Sequence, residues 1–443
     1  MSDADFAALD EHTRHAALSL AAETALKTNK PEQAQQFAVR ATQMSEQSLA
    51  DWRNRLSAAM RNKDAGDEAE SLTRIAKNWG RDPSTLPAQT VGGVLRDVRQ
   101  PQFRDARFNL LQALYELRWQ PGGGMSASSE WRDLSLLLLE NHDLQRAQQV
   151  ASLVTDPYEI IVMRADLRYR PLVKSKYFDS DAKRAAIREI ETLQMTVGRQ
   201  PRSLALVLGW TGALMRSRRD AEVIAAIDQV ESRIAQSQDG TKAYDDIDAN
   251  YHWILNTKAY ALRNLGRFED AVTVLQKAAE LAHAMDAVSQ PVNLAELLCG
   301  LNRPEEAAKW IPPLEKASAF GKSQIYLVRF TVALERDDRA EVESALTYLR
   351  EHRTDASGVL QEALLRAGEM AEAQQALLDR LADPMLRAAA LAEAQTYFER
   401  TRPPEAAEWR ARALQLGESP AVRQEIAKVG VIERYMWRFP ANE

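Results

Sequence analysis

One short phrase recurs along this chain: a turn residue, an acidic or polar step, then an alanine that opens a new helix. It reads Pro31-Glu32-Gln33-Ala34, Phe103-Arg104-Asp105-Ala106, Phe268-Glu269-Asp270-Ala271, Pro304-Glu305-Glu306-Ala307 and Pro404-Glu405-Ala406-Ala407. With the recurring alanine as phase marker, helix pairs are placed around Ala34, Ala69, Ala106, Ala147, Ala185, Ala221, Ala271, Ala307, Val342, Ala373 and Ala407. A repeat of roughly 35 residues built this way is a helical array rather than a set of separate globular domains. The marker has a physical cause, since the second helix of a pair crosses the first closely and a methyl side chain fits between the backbones.

The pattern is clearest around Ala271. Trp253 to Leu265 is expected as a helix with Leu255, Ala259 and Leu262 on one stripe, ended by Gly266. Ala271 to Leu281 is expected as the second helix, with Ala271, Leu275 and Ala278 on its packing face. Trp131, Leu134, Leu138 and Ala147 fit the same scheme, as do Leu208, Gly209 and Ala221. In these residues the chain resembles the tetratricopeptide repeat (TPR), whose bulky, small, aromatic, Gly and Ala positions return about every 34 residues. No copy carries every signature residue, and Val342 replaces the alanine in its repeat.

The expected architecture is therefore all-α: a right-handed superhelical solenoid of about 10–11 antiparallel helix pairs with a C-terminal capping helix. Degenerate pairs occupy 1–120, the main array 130–416, and the cap and tail 417–443. The Gly- and Ser-rich stretch from Gln120 to Ser129 separates the first two, either as a linker or as a long inter-repeat turn. Ser237-Gln238-Asp239-Gly240-Thr241 is a loop within the 50-residue interval from Ala221 to Ala271.

Composition narrows the function classes. Of 443 residues, 57 are Lys or Arg and 63 Asp or Glu, a net charge of −6 that argues against general attraction to nucleic acid or an anionic membrane. With one cysteine, Cys299, no intrachain disulfide and no Cys-based zinc site can form. Apolar runs such as Leu134 to Leu139 are far below the roughly 20 residues of a membrane span. Met1-Ser2-Asp3-Ala4-Asp5 lacks the features of an export signal, so a cytoplasmic location is expected, or a periplasmic one if a leader once preceded Asp3.

Catalytic motifs fail when tested. Gly321-Lys322-Ser323 resembles the end of a phosphate loop, but the leading glycine position holds Lys316 and no strand precedes it. Asp246, Asp248 and Asn250 imitate a calcium loop, yet Tyr251 and Thr257 stand where Gly and Glu are required, which favours a helix N-cap. His12 and His15 share a helix face without further metal ligands and are expected on a solvated amphipathic helix. Cys299 is expected as a packed side chain. No enzyme activity and no cofactor are expected.

What remains is partner binding. In stacked pairs the first helices line a concave face, and on the Ala271 repeat that face carries Trp253, Asn256, Tyr260 and Arg263. Their chemistry suits a peptide: an amide for backbone, a guanidinium for a carboxylate, and two aromatics for contact area. The TPR resemblance implies the same use. Trp210 extends this floor and Arg132 stands at a comparable helix phase; packing against neighbouring repeats is the competing reading for Trp253 and Trp210. A second surface runs from Arg164 to Arg188, where eight cations including Arg164, Arg168, Arg170, Lys174 and Lys176, less three aspartates, leave +5 beside Tyr169 and Tyr177. A solvated face is the plainer account of such a run.

The chain is expected to be a non-enzymatic scaffold or adaptor holding a peptide or protein segment in its groove. The alternatives are an envelope or secretion accessory, as many bacterial TPR-like proteins are, or an enzyme subunit with a site assembled from distant residues. Val429, Val431, Ile432, Tyr435, Met436, Trp437 and Phe439 either cap the last pair or form a homodimer contact.

Overall fold

The computed structural model describes residues 6, 8–122, 125–176, 178–237, 239–285, 287–398, 403 and 407–437. The chain forms two compact units: residues 1–154 with 174–178, and residues 155–173 with 179–443. The division falls at Val154 and Thr155, inside the array expected over 130–416. Among the described residues the secondary structure is helical apart from two isolated β-bridges, and no helix is long and apolar enough to cross a membrane.

In the first unit the helices are α1 (Glu11–Lys27), α2 (Pro31–Thr42), α3 (Leu49–Asn62), α4 (Ala65–Trp79), α5 (Ala88–Asp97), α6 (Arg104–Glu116), α7 (Ser128–Glu140) and α8 (Leu144–Ala151). In the second they are α9 (Pro157–Ala165), α10 (Arg170–Val173), α11 (Ala182–Arg199), α12 (Leu204–Arg216), α13 (Asp220–Gln236), α14 (Ile247–Asn264), α15 (Phe268–Ala284), α16 (Ser289–Gly300) and α17 (Pro304–Ala307). Then follow α18 (Ala319–Glu335), α19 (Arg339–Glu351), α20 (Ser357–Ala367), α21 (Met370–Ala382), α22 (Arg387–Glu393), α23 (Ala407–Glu418) and α24 (Pro420–Val429). Successive helices pack as antiparallel pairs, as the repeat requires. The pair expected around Ala271 is observed as α14 and α15.

The turn inside each pair is the repeating unit's most regular feature. Asn29, Lys63, His142, Arg218, Gly266, Asn302, Asp337 and Gly368 all adopt a left-handed backbone, with φ between 55° and 81° to the nearest few degrees. After each, the next amide donates back to a carbonyl five residues earlier: Lys30 to Ala25 at 2.8 Å, Arg267 to Leu262 at 3.0 Å, Glu369 to Leu364 at 2.9 Å. These are Schellman caps, which end one helix and satisfy its orphan carbonyls within two residues. The second helix then begins at once, and the fifth residue after the left-handed one faces its partner helix.

That spacing selects Ala34, Ala147, Ala271, Ala307 and Ala373, all fully buried. It also corrects two phase markers. Five residues beyond Arg218 stands Val223, which is buried, whereas Ala221 is exposed. Asp220 takes the inward position at the helix start instead, where its carboxylate accepts from Asn264 Nδ2 at 2.9 Å. Five residues beyond Lys63 stands Glu68, one before the equally buried Ala69. Ala106 is only half-buried. Pro404, Glu405 and Ala406 lie outside the described residues.

Two polar anchors were hidden in the sequence. His15 is not solvated: its Nε2 lies 2.9 Å from Asp51 Oδ2, and the same buried carboxylate accepts from Ser19 and Ser48 hydroxyls at 2.5 and 2.6 Å. Burial works against the Asp51 charge, but those hydroxyl bonds hold the carboxyl below its ordinary value. His12 bonds Glu46 instead. Asp246 does precede a helix, yet it caps a different one. Its oxygens accept from the Leu204 and Ala205 amides of α12 at 2.7 and 3.0 Å.

The second unit also joins its own two ends. Helix α9 packs on α22, and residues 430–437 run between them. The Val431 amide donates to the Ala165 carbonyl at 2.9 Å, Tyr435 N to Thr396 O at 2.8 Å, and Phe398 N to Trp437 O at 2.9 Å. Arg164 closes the contact with a two-pronged bond to Glu433, at 2.7 and 2.8 Å. Gly430 is required here, because a Cβ would stand 2.6 Å from the Ala165 carbonyl oxygen and 2.5 Å from Leu391. Trp437 is buried in this contact, while Val431, Ile432 and Met436 stay exposed; Phe439 lies outside the described residues. Helix α24 packs on α21 through a core containing Val422 and Ile426.

Glu68 provides a test of the seam. Burial first, and then the neighbouring Asp97 carboxylate, push its carboxyl up from the ordinary 4.5 to about 7. An acid whose native pKa is raised lends its stability at low pH and loses it as pH climbs from the unfolded value through the native one. The urea midpoint of the wild type is therefore expected to fall between pH 4.5 and about 7, and Glu68→Gln is expected to flatten that slope.

Candidate functional site

Helix α14 lies between α12 and α16, so the first helices of three pairs stand side by side. Leu255, Ala259 and Leu262 enter a core with Ala271, Leu275 and Ala278, as the stripe requires. Trp253, Asn256, Tyr260 and Arg263 occupy the other face, but neighbouring first helices cover much of it. Asn256 is 1% and Tyr260 7% exposed, while Trp253 and Arg263 are half-buried. Asn256 Oδ1 accepts from Asn293 Nδ2 of α16 at 3.0 Å, which ties two adjacent first helices together.

Tyr260 and Trp210 share one apolar cluster, so the structure does bring the predicted aromatics of α12 and α14 together. Arg263 lies over the Tyr260 ring, 4.3 Å from its centroid, a cation–π contact that leaves its N–H groups available. Among the described residues no carboxylate lies within ion-pair distance of Arg263, and the buried Trp210 Nε1 has no acceptor. Trp253 is tilted against His252 at 5.5 Å, and burial drives that histidine toward its neutral form.

The other predicted residues fall elsewhere. Arg132, on α7 of the first unit, donates from Nε and Nη2 to Asp133 at 3.2 and 2.9 Å. In the basic run, Arg164 is bound to Glu433 and Arg168 to Asp166, while Arg184 and Arg188 pair with Asp179. Arg170 is exposed. Lys174 and Lys176 belong to the first unit, and Tyr177 lies outside the described residues. Asp166 and Asp179 are already counted in the +5 read from the sequence; Glu433, 269 residues away in the chain, lowers it to +4.

The rejected catalytic motifs have structural roles. Gly321, Lys322 and Ser323 sit in the first turns of α18, where Ser318 Oγ accepts from the Gly321 amide at 3.1 Å. Among the described residues no group of three His, Cys, Asp or Glu side chains converges to hold a metal. A hollow of about 890 Å³ in the first unit is bordered by Gln35, Asn62 and Asp64. Asn62 Nδ2 donates to Gln35 Oε1 and Gln35 Nε2 to Asp64, while the buried Asn62 Oδ1 has no partner among the described residues.

Comparison with known proteins adds little. No protein-family model matches the sequence, and no curated protein does. The fold is similar to a chain in the crystal structure of the APC/C hetero-tetramer Cut9-Hcn1, with 12% identity over 94% of this chain and 96% of that one, at a TM-score of 0.32. It is similar to yeast Tom70 with 12% identity over 95% and 100%, at a TM-score of 0.24. Both scores are too low to argue from. The class rests on the chain's own helix pairs, and it is that of an all-α helical-repeat protein.

Cys299 is fully buried on α16, and burial pushes its thiol up to about 12. So little thiolate exists near neutral pH that a disulfide reagent is expected to leave the native protein unlabelled at pH 8 and to react fully in denaturant. Rapid native labelling would show that this core opens.

Proposed function

We propose that this chain is a non-catalytic scaffold that holds an extended peptide segment across the first helices α12 and α14. The observation that carries the reading is Arg263: a half-buried guanidinium, propped on an aromatic ring, with no carboxylate in reach among the described residues. A partly desolvated cation with free donors favours an acidic or backbone-oxygen partner. Trp253, half-buried on the same helix, offers rigid contact area. Asn256 and Tyr260 act from beneath. Asn256 fixes α14 to α16, and Tyr260 supports the guanidinium.

A preformed face of this kind spends little entropy on its own ordering when a partner arrives. Crosslinking from a photoreactive residue at position 253 identifies the partner, and affinity is then measured for Trp253→Ala and Arg263→Ala. Each is expected to weaken binding by about 1–3 kcal/mol while the helical content and unfolding midpoint stay near those of the wild type. Unchanged affinity in both variants overturns the reading.

A further inference from the structure

In the second unit, residues 430–437 are held as an added peptide strand is held. The odd-numbered residues carry the main-chain contacts. Glu433 N donates to Gln395 Oε1 at 2.8 Å, and Val431 O accepts from Gln395 Nε2 at 3.0 Å, so the buried Gln395 amide does the work of a peptide group. Thr396 N donates to Glu433 O at 3.0 Å, and the bonds from Tyr435 N and to Trp437 O continue the row. Thr396 and Arg434 form a parallel bridge. Main-chain bonds of this kind give affinity without reading sequence, and alternate side chains supply the specificity.

Three of those alternate side chains are read. Arg164 forks onto Glu433 and is itself held by donating to the Ser180 carbonyl at 2.9 Å. The Tyr435 ring stacks on Tyr397 with centroids 5.9 Å apart, and its hydroxyl donates to Glu433 at 2.7 Å. The Trp437 ring lies 6.0 Å from the Arg216 guanidinium at the end of α12. Little of this is core packing. Ile432, Arg434 and Met436 are exposed, and of residues 431–437 only Trp437 is buried, with no acceptor for its Nε1 among the described residues. Helix α24, which leads into the segment, is anchored separately through Val422 and Ile426.

We infer that residues 430–437 are the tethered occupant of a peptide-docking slot formed by Arg164 and Ala165 of α9, Gln395, Thr396 and Phe398, and Arg216. In their place the slot takes an extended segment of a partner protein that carries an acid followed, two and four residues on, by aromatic rings. Releasing the resident segment costs one ion pair, a row of main-chain bonds and one buried ring, and leaves the contact of α24 with α21 intact. The tether keeps the resident segment at an effective concentration of order mM, so a partner binds only when it fills the slot better or when the strap is loosened. A second copy of the chain brings the same segment without that advantage, and so does not displace it. The slot is separate from the α12–α14 face and does not depend on it.

The test uses the full chain and a labelled, end-blocked synthetic peptide with the sequence of residues 428–437. Glu433→Gln in the chain loosens the resident segment and frees Arg164, so anisotropy is expected to show the peptide binding that variant at least about tenfold more tightly than the wild type. Adding Arg164→Gln to the chain, or placing the Glu433→Gln change in the peptide instead, is expected to remove the gain. Hydrogen exchange of the wild type gives a second readout: the Val431 and Tyr435 amides are expected to exchange faster than those of Val422 and Ile426, because the segment opens without α24. Peptide that binds neither chain, binding indifferent to Arg164, or exchange at 431 and 435 no faster than in α24 overturns the slot. Dimers of the Glu433→Gln chain that grow with concentration and dissolve on adding peptide overturn the partner in favour of exchange between copies. None of these readouts involves Arg263, so failure here leaves the scaffold reading standing.

Discussion

The left-handed two-residue turn is the constraint on which the helix pairs depend. A Schellman cap stops the first helix, and the second begins immediately, so no slack remains to adjust their crossing. The fifth residue beyond the turn must then fit between two backbones. Six of the eight turns place a residue other than glycine in this conformation, at a cost of order 1 kcal/mol each. Burial of apolar surface along each pair offsets that cost.

Once the crossing is fixed, polar groups near it have to be partnered or neutral. Asp220 meets Asn264, Asp51 is surrounded by hydroxyls and His15, and Glu68 is driven toward its protonated form. On the surface the same accounting leaves carboxylates beside the arginines of the basic run. Arg263 in the second unit, half-buried over Tyr260, has no carboxylate within ion-pair distance among the described residues. Its availability, more than any motif, is what makes it worth reading as a contact residue.

The helix pairs were legible because the pattern is local. Gly266, Leu255, Ala259 and Ala271 lie within one repeat, and the expected helices agree with α14 and α15 apart from their ends. The phase slipped at Ala221, where a second alanine-like signal lay two residues from the true seam at Val223. Trp253, Asn256, Tyr260 and Arg263 lie off the packing stripe of α14, but the burial of Asn256 and Tyr260 was not legible, since cover by α12 and α16 comes from other repeats. Asp246 capping α12 and Arg164 bonding Glu433 join residues far apart in the chain. Their spacing in the sequence carries no periodic mark. The left-handed turn itself was only half visible, because Lys63, His142 and Arg218 are not residues that announce that conformation.

The account stands on the seam, and thermal unfolding of two matched variants tests it. Ala271 and Ala221 both sit near the start of a second helix, one fully buried and the other exposed, and leucine is nearly as good a helix former as alanine. Ala271→Leu is predicted to destabilise the protein by about 1–3 kcal/mol through overpacking, while Ala221→Leu leaves the midpoint almost unchanged. Equal effects at both positions, or a stable Ala271→Leu, would contradict the claim that a close crossing behind each turn sets this structure.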